Sequence, residues 1–178
     1  MRIISGEHKG RRFNPPSFFK ARPTTDFAKE SLFNLINNEI DIEGTKALDL
    51  FSGTGSISYE FLSRGSVYVC SVDINSKYLE FIKRTSEILS PDKKIIFTLK
   101  ADVLKLLPKH NLDFDIIFAD PPYELEGIDK IPDLIYNNPS LKKGALVIVE
   151  HSALTDYSLH QRFRSLRKYG SVNFSFFS

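Results

Sequence analysis

From residue 46 onward, short apolar runs alternate with stretches of helical spacing, and this alternation constrains the fold more than any other feature of the chain. The runs at 47–51, 67–72, 94–99, 115–119 and 145–150 are the length of buried strands and too short for buried helices. Between them, Ile57 and Phe61 lie one turn apart and Gly65 supplies a stop, while Leu79, Ile82 and Leu89 mark a further helix that Pro91 ends. Strands separated by helices form a parallel sheet. A final pair of strands, near 163–169 and 171–177, is joined only through Gly170. That link is too short for a parallel crossover, so the pair is antiparallel. The expected architecture is an α/β doubly wound sheet with an antiparallel C-terminal hairpin.

The front of the chain follows other rules. Residues 1–13 are basic and punctuated by glycine, Pro15 and Pro16 break them, and Thr24 or Thr25 caps a helix with Ala28, Leu32, Leu35 and Ile36 on one face. We read 1–40 as a basic N-terminal extension and helix docked on a main domain spanning 41–178.

With 178 residues the chain can bury roughly 70% of its unfolded surface without help from a disulfide or metal. Apolar runs such as 145–149 are too short to span a bilayer, and the first residues have no signal-peptide core, so the cytoplasm is the expected location and no membrane partner is expected. The lone Cys70 lies in an apolar run and cannot form an intrachain disulfide; four His and one Cys show no metal-ligand spacing, so no metal is expected. Charge is unevenly placed. Residues 1–30 balance to +4, Arg162, Arg164, Arg167 and Lys168 add +4, and the middle carries −6. Basic ends around an acidic middle fit a phosphate-rich partner.

Two segments carry chemistry. The first, from Leu48 to Ser56, is a strand running through Phe51, Gly53 and Gly55 into a helix, so the backbone can approach a ligand closely beneath unpaired N–H groups. Asp73, eighteen residues after Gly55, ends the second strand beside Ile74 and can accept both hydroxyls of an adenosine ribose. Asp102, followed by Val103, stands after the third strand within reach of an adenine amino group, and Asp49 suits an ammonium. Asp49 also suits a purely structural role in the turn, and Asp102 one as a helix cap. Ser58 stands where a dinucleotide fingerprint has its third glycine, which weighs against a nicotinamide cofactor. Acids for ribose, adenine and ammonium together match S-adenosylmethionine.

The second segment is Asp120-Pro121-Pro122-Tyr123, directly after the apolar run 116–119. It places an acceptor, a rigid turn and a stacking face at the carboxyl edge of the sheet, where open α/β sheets bind ligands. This arrangement can hold a planar base while oxygen acceptors grip an exocyclic amine. Motif order alone allows guanine-N2, adenine-N6 or cytosine-N4 as the target.

These segments resemble class I methyltransferases, and more narrowly the RsmD family of 16S ribosomal RNA guanine-N2 methyltransferases. The narrower likeness rests on Arg2-Ile3-Ile4-Ser5-Gly6 with Lys9-Gly10-Arg11-Arg12, on Arg22-Pro23-Thr24-Thr25-Asp26 with Glu30-Ser31-Leu32-Phe33-Asn34, on 48–65, and on Asp120 to Tyr123. It spans nearly the whole chain and implies a Rossmann-like seven-stranded sheet. It also implies a bacterial enzyme acting on a guanine of small-subunit rRNA, in an assembled or partly assembled particle. Arg2, Lys9, Arg11, Arg12 and Arg22 are the expected RNA contacts. Ser58 departs from a glycine common in the family and is expected to touch no ligand contact. Glu150 and His151 also fit the family, with structural hydrogen bonds as their expected role. Two alternatives stand beside this reading: a DNA adenine-N6 methyltransferase, for which the chain lacks room for a target-recognition domain, and a non-catalytic RNA-binding assembly factor.

Overall fold

Each apolar run becomes a strand because its side chains alternate between two buried faces. A computed structural model describes residues 1–17, 19 and 25–178. Its strands are β1 (Lys46–Leu50), β2 (Tyr68–Asp73), β3 (Ile96–Lys100), β4 (Ile116–Ala119), β5 (Leu146–His151), β6 (Phe163–Tyr169) and β7 (Val172–Phe177). They form one sheet in the order β3-β2-β1-β4-β5-β7-β6, parallel except for β7, which is antiparallel to both β5 and β6. This is the expected α/β sheet of seven strands with an antiparallel C-terminal hairpin.

The helices α1 (Asp26–Glu39), α2 (Ser56–Ser63), α3 (Ser76–Leu89), α4 (Val103–Leu106) and α5 (Ile131–Tyr136) complete the layers. Helix α2 ends before Gly65 and α3 before Pro91, as the spacing predicts. Thr25 caps α1, its hydroxyl oxygen accepting the Ala28 N–H at 3.1 Å; Thr24, the other candidate, lies outside the described residues. Helices α4 and α5 are four and six residues long, too short for periodicity to reveal. Phe51, expected in the first strand, instead lies just beyond it with φ 61°.

Ala47, Val69, Ile116, Phe118, Leu146 and Ile148 point to one face, beneath α1, α2 and α3. Leu48, Leu50, Val72, Ile117, Val147 and Val149 point to the other, beneath α4 and α5. Parity therefore sends Asp49, Asp73, Asp120 and Glu150 toward the α1–α3 side. The chain order reverses between β1 and β4, so the crevice expected at a switch point opens above their carboxyl ends.

The first residues form a small antiparallel loop. Arg2 bridges Arg12, and the Ile3 N–H donates to Arg11 O at 3.0 Å. This loop lies on α2, where Glu60 accepts the backbone N–H groups of Ile4 and Ser5 at 3.0 Å each. Among the described residues no helix is long and apolar enough to cross a membrane.

Candidate active site

The turn after β1 is held by the end of β2. Ser52 N–H donates to Val72 O at 2.9 Å, and Gly53 N–H donates to Asp73 Oδ2 at 2.9 Å. Asp73 Oδ1 accepts Asn75 N–H at 2.8 Å. Each carboxylate oxygen keeps a second lone pair, so Asp73 can also accept ligand hydroxyls. Gly55 opens α2 with φ 78°; a Cβ there would stand 2.7 Å from Ile82 and 2.9 Å from the Tyr59 ring, so only glycine fits. Ile74 presents a bare apolar side chain beside Asp73, 67% exposed.

The other predicted cofactor residues are placed differently from one another. Asp102 is the cap of α4, its Oδ1 accepting Leu104 N–H at 3.1 Å while Oδ2 faces Lys105 at 3.3 Å. Val103 is buried with its side chain in the core under α4. Asp49 is also buried, one pleat below the edge. Its Oδ2 accepts the Ser58 hydroxyl, and Ser58 Oγ lies 2.6 Å from Ser71 Oγ. Ser58 therefore does touch a proposed ligand residue, contrary to the sequence expectation. A hydroxyl fits where glycine would leave the carboxyl uncompensated. Burial pushes the Asp49 carboxyl up to about 7, against the downward pull of Ser58.

Asp120 follows β4 at the adjacent crevice wall, its N–H donating to Leu50 O at 3.3 Å. Pro121 is buried, Pro122 is exposed and accepts Leu125 N–H at 2.9 Å, and Tyr123 is 42% exposed. The Tyr123 hydroxyl stands 3.5 Å from Glu150 Oε1, at the outer limit of hydrogen bonding. Burial raises the Asp120 and Glu150 carboxyls above their ordinary range, and Glu150 is raised further by the Asp120 charge. His151 points to the opposite face and has the structural bonds expected of it, Nε2 with Ser175 Oγ and Nδ1 with Ser152 O, each at 2.8 Å.

The basic residues divide. Arg2 pairs with Asp26 at 3.0 Å, Arg11 reaches Ile88 O at 3.4 Å, and Lys9 and Arg12 are exposed; Arg22 lies outside the described residues. A cavity of about 640 Å³ opens between Arg2, Arg12, Asn14, Lys29, Thr54 and Ser56, joining the N-terminal loop to the glycine turn. At its wall is a group that periodicity did not reveal. Lys29 is buried, lies 3.7 Å from buried Glu60, and donates to Ser56 Oγ at 3.1 Å and to Arg2 O. Glu60 also pairs with Arg64 at 3.0 Å. The only sequence signal was a lysine next to the apolar stripe of α1.

Known proteins resemble this chain in sequence and in fold. Ribosomal RNA small subunit methyltransferase D of Buchnera aphidicola subsp. Baizongia pistaciae is 34% identical over 150 residues, 84% of this chain and 75% of that protein. The protein of the same name from Haemophilus influenzae is 32% identical over 153 residues, 84% and 78% of the two chains. Among solved structures, Escherichia coli yhhF superposes with a TM-score of 0.84 at 24% identity, covering 99% of this chain and 96% of that one. The family model described as conserved hypothetical protein 95 matches residues 1–178. By that match and those relatives, the chain belongs to the conserved hypothetical protein 95 family, that of the RsmD methyltransferases.

Proposed function

We propose that this protein transfers a methyl group from S-adenosylmethionine to the N2 amine of a guanine in small-subunit ribosomal RNA, acting in the cytoplasm on an assembled or partly assembled particle. The observation that carries the reading is the placement of Asp120 and Tyr123 directly after β4, next to the Gly53–Asp73 turn after β1. Relatives named for small-subunit rRNA methylation support the RNA substrate.

S-adenosylmethionine supplies the methyl as a sulfonium electrophile. Gly53, Gly55, Asp73 and Ile74 would hold its adenosine, with Asp102 and Val103 at the adenine edge. Asp49, behind Phe51, is the candidate for its ammonium. A guanine amine is a poor nucleophile because its lone pair is delocalised into the ring. Asp120 and the Pro121 carbonyl would accept its two N–H bonds and draw the nitrogen toward tetrahedral geometry, so orientation supplies much of the rate. Pro122 stiffens the turn. Tyr123 would stack on the extruded base, worth about 1–3 kcal/mol. Extrusion costs a few kcal/mol, offset by phosphate contacts from Arg2, Lys9, Arg11, Arg12 and Arg22.

The test is methylation with labelled cofactor of small subunits, naked 16S rRNA and duplex DNA in parallel, followed by identification of the methylated base. N2-methylguanine in the rRNA of particles is the expected product. Label on DNA adenine would replace this reading with the DNA alternative, and binding without transfer to any acceptor would leave an RNA-binding factor.

A further inference from the structure

Two carboxyl groups, Asp120 and Glu150, adjoin at the crevice with no cation between them among the described residues. The last paired residues of β4 and β5 are Ala119 and Val149, so Asp120 and Glu150 follow in register on neighbouring strands, about 4.8 Å apart along the hydrogen-bonding direction. Neither is paired with a lysine or arginine among the described residues. Glu150 is 4% exposed, and its Oε2 is buried with no hydrogen-bond partner among those residues. Its neighbours are Asp120 from β4, the Tyr123 hydroxyl from the turn above, and apolar Phe174 opposite on β7; His151 faces the other side of the sheet. A carboxylate placed so would be an uncompensated buried charge beside another, which proteins avoid by neutralising one of the two.

We propose that Glu150 is a positioning residue of this site, working as a neutral carboxylic acid that steadies Tyr123 through its hydroxyl and leaves Asp120 as the single anionic acceptor. The inference rests on reading the site as one of methyl transfer. A second negative charge on Glu150 would repel Asp120 and draw water into the pocket under Tyr123. The neutral acid avoids both effects and keeps one O–H to donate, toward Asp120 or an incoming base. Burial and the Asp120 charge both favour this form.

The test compares Glu150→Gln, a neutral isostere, with Glu150→Ala. Cofactor affinity from calorimetry should stay within about threefold of wild type in both, since Glu150 meets no cofactor residue. Glu150→Ala should lower kcat about tenfold or more, with Glu150→Gln recovering most of the loss. Wild-type kcat should fall on the alkaline side as Glu150 ionises, a limb absent from Glu150→Gln. In a double-mutant cycle, Tyr123→Phe should add little to Glu150→Ala. Infrared spectra at mildly alkaline pH should show a protonated-carboxyl band that Glu150→Gln lacks. Equal impairment of the Gln and Ala variants, an alkaline limb that persists in Glu150→Gln, or a missing infrared band would overturn the proposal. The kinetic ranking is read on whichever acceptor the wild type methylates, and the infrared band needs no acceptor. A failure of the guanine reading therefore leaves this test decisive.

Discussion

The Ser58 hydroxyl donates to the Asp49 carboxylate, so the first turn of α2 is bonded through a side chain to the middle of β1. The same oxygen lies 2.6 Å from Ser71 Oγ on β2, which ties three elements together beneath the glycine turn.

Removing that hydroxyl leaves a buried carboxyl short of a donor. Ser58→Ala should cost about 1–3 kcal/mol of stability. The pH dependence has a definite sign. Asp49 is raised from 3.8 to about 7 in the folded protein, so between those values the native state holds more protons than the unfolded one. The Asp49 contribution to stability therefore falls as pH rises through that window. Without Ser58 the charged form loses its donor and the decline should extend to higher pH. Urea denaturation across a pH series measures both effects; an unchanged pH profile would show that Ser58 does not govern Asp49.

Asp73 serves the turn and the expected cofactor at once. Asp73→Ala should weaken S-adenosylmethionine binding about 10- to 100-fold, or about 1.5–3 kcal/mol. Titration calorimetry decides it, and unchanged affinity would remove Asp73 from the cofactor site.

Asp120 and Tyr123 should separate chemistry from binding. Asp120→Ala should bind cofactor nearly normally yet lose methyl transfer by orders of magnitude, since the lost contact matters most in the transition state. Tyr123→Ala should chiefly raise KM for the nucleic acid. Parallel loss of cofactor affinity and activity in Asp120→Ala would reassign that residue to the cofactor half. Because burial raises the Asp120 carboxyl, wild-type activity should also fall on the acid side as it protonates.

Lys29 and Glu60 bind the N-terminal loop to α1 and α2. Lys29→Met removes one partner of a buried pair and should destabilise the fold by about 3–5 kcal/mol. Denaturant titration reads the loss. A stability within 1 kcal/mol of wild type, on the order of a surface substitution, would show that Arg64 alone suffices for Glu60.

Lys9 and Arg12 are exposed cations of the proposed RNA surface. Replacing both by Ala should weaken RNA binding and reduce its salt slope by about 1–2, with cofactor affinity intact. A binding assay across a salt series measures it, and an unaltered slope would place phosphate contact elsewhere.

Where sequence pattern and local structure coincide, the reading was direct. The run ending at Leu50, the glycines at 53 and 55, and the acid at the end of β2 announce a strand, a turn and a second strand end by residue type alone, whereas the strand order depends on which neighbours pair in space. Other features depend on three-dimensional neighbours. Ser58 reads as a helix-facing substitution until α2 lies over β1 and β2. Lys29 reads as the edge of an apolar stripe until Glu60 arrives from another helix. Glu150 reads as a strand end that needs a hydrogen bond, and one of its two oxygens has none among the described residues. Phe51 belongs to the apolar run by composition, yet its φ of 61° takes it out of the strand.

Strand β7 is the latest of the seven in chain order, yet it lies inside the sheet between β5 and β6. Until Val172–Phe177 pairs with it, β5 keeps an open hydrogen-bonding edge. During that interval Ile148 and Val149 stand at an open edge of the kind that recruits strands from other molecules. β7 is thus the strand that protects β5 from such pairing, and the buried aromatics Phe174, Phe176 and Phe177 make its docking strongly favourable.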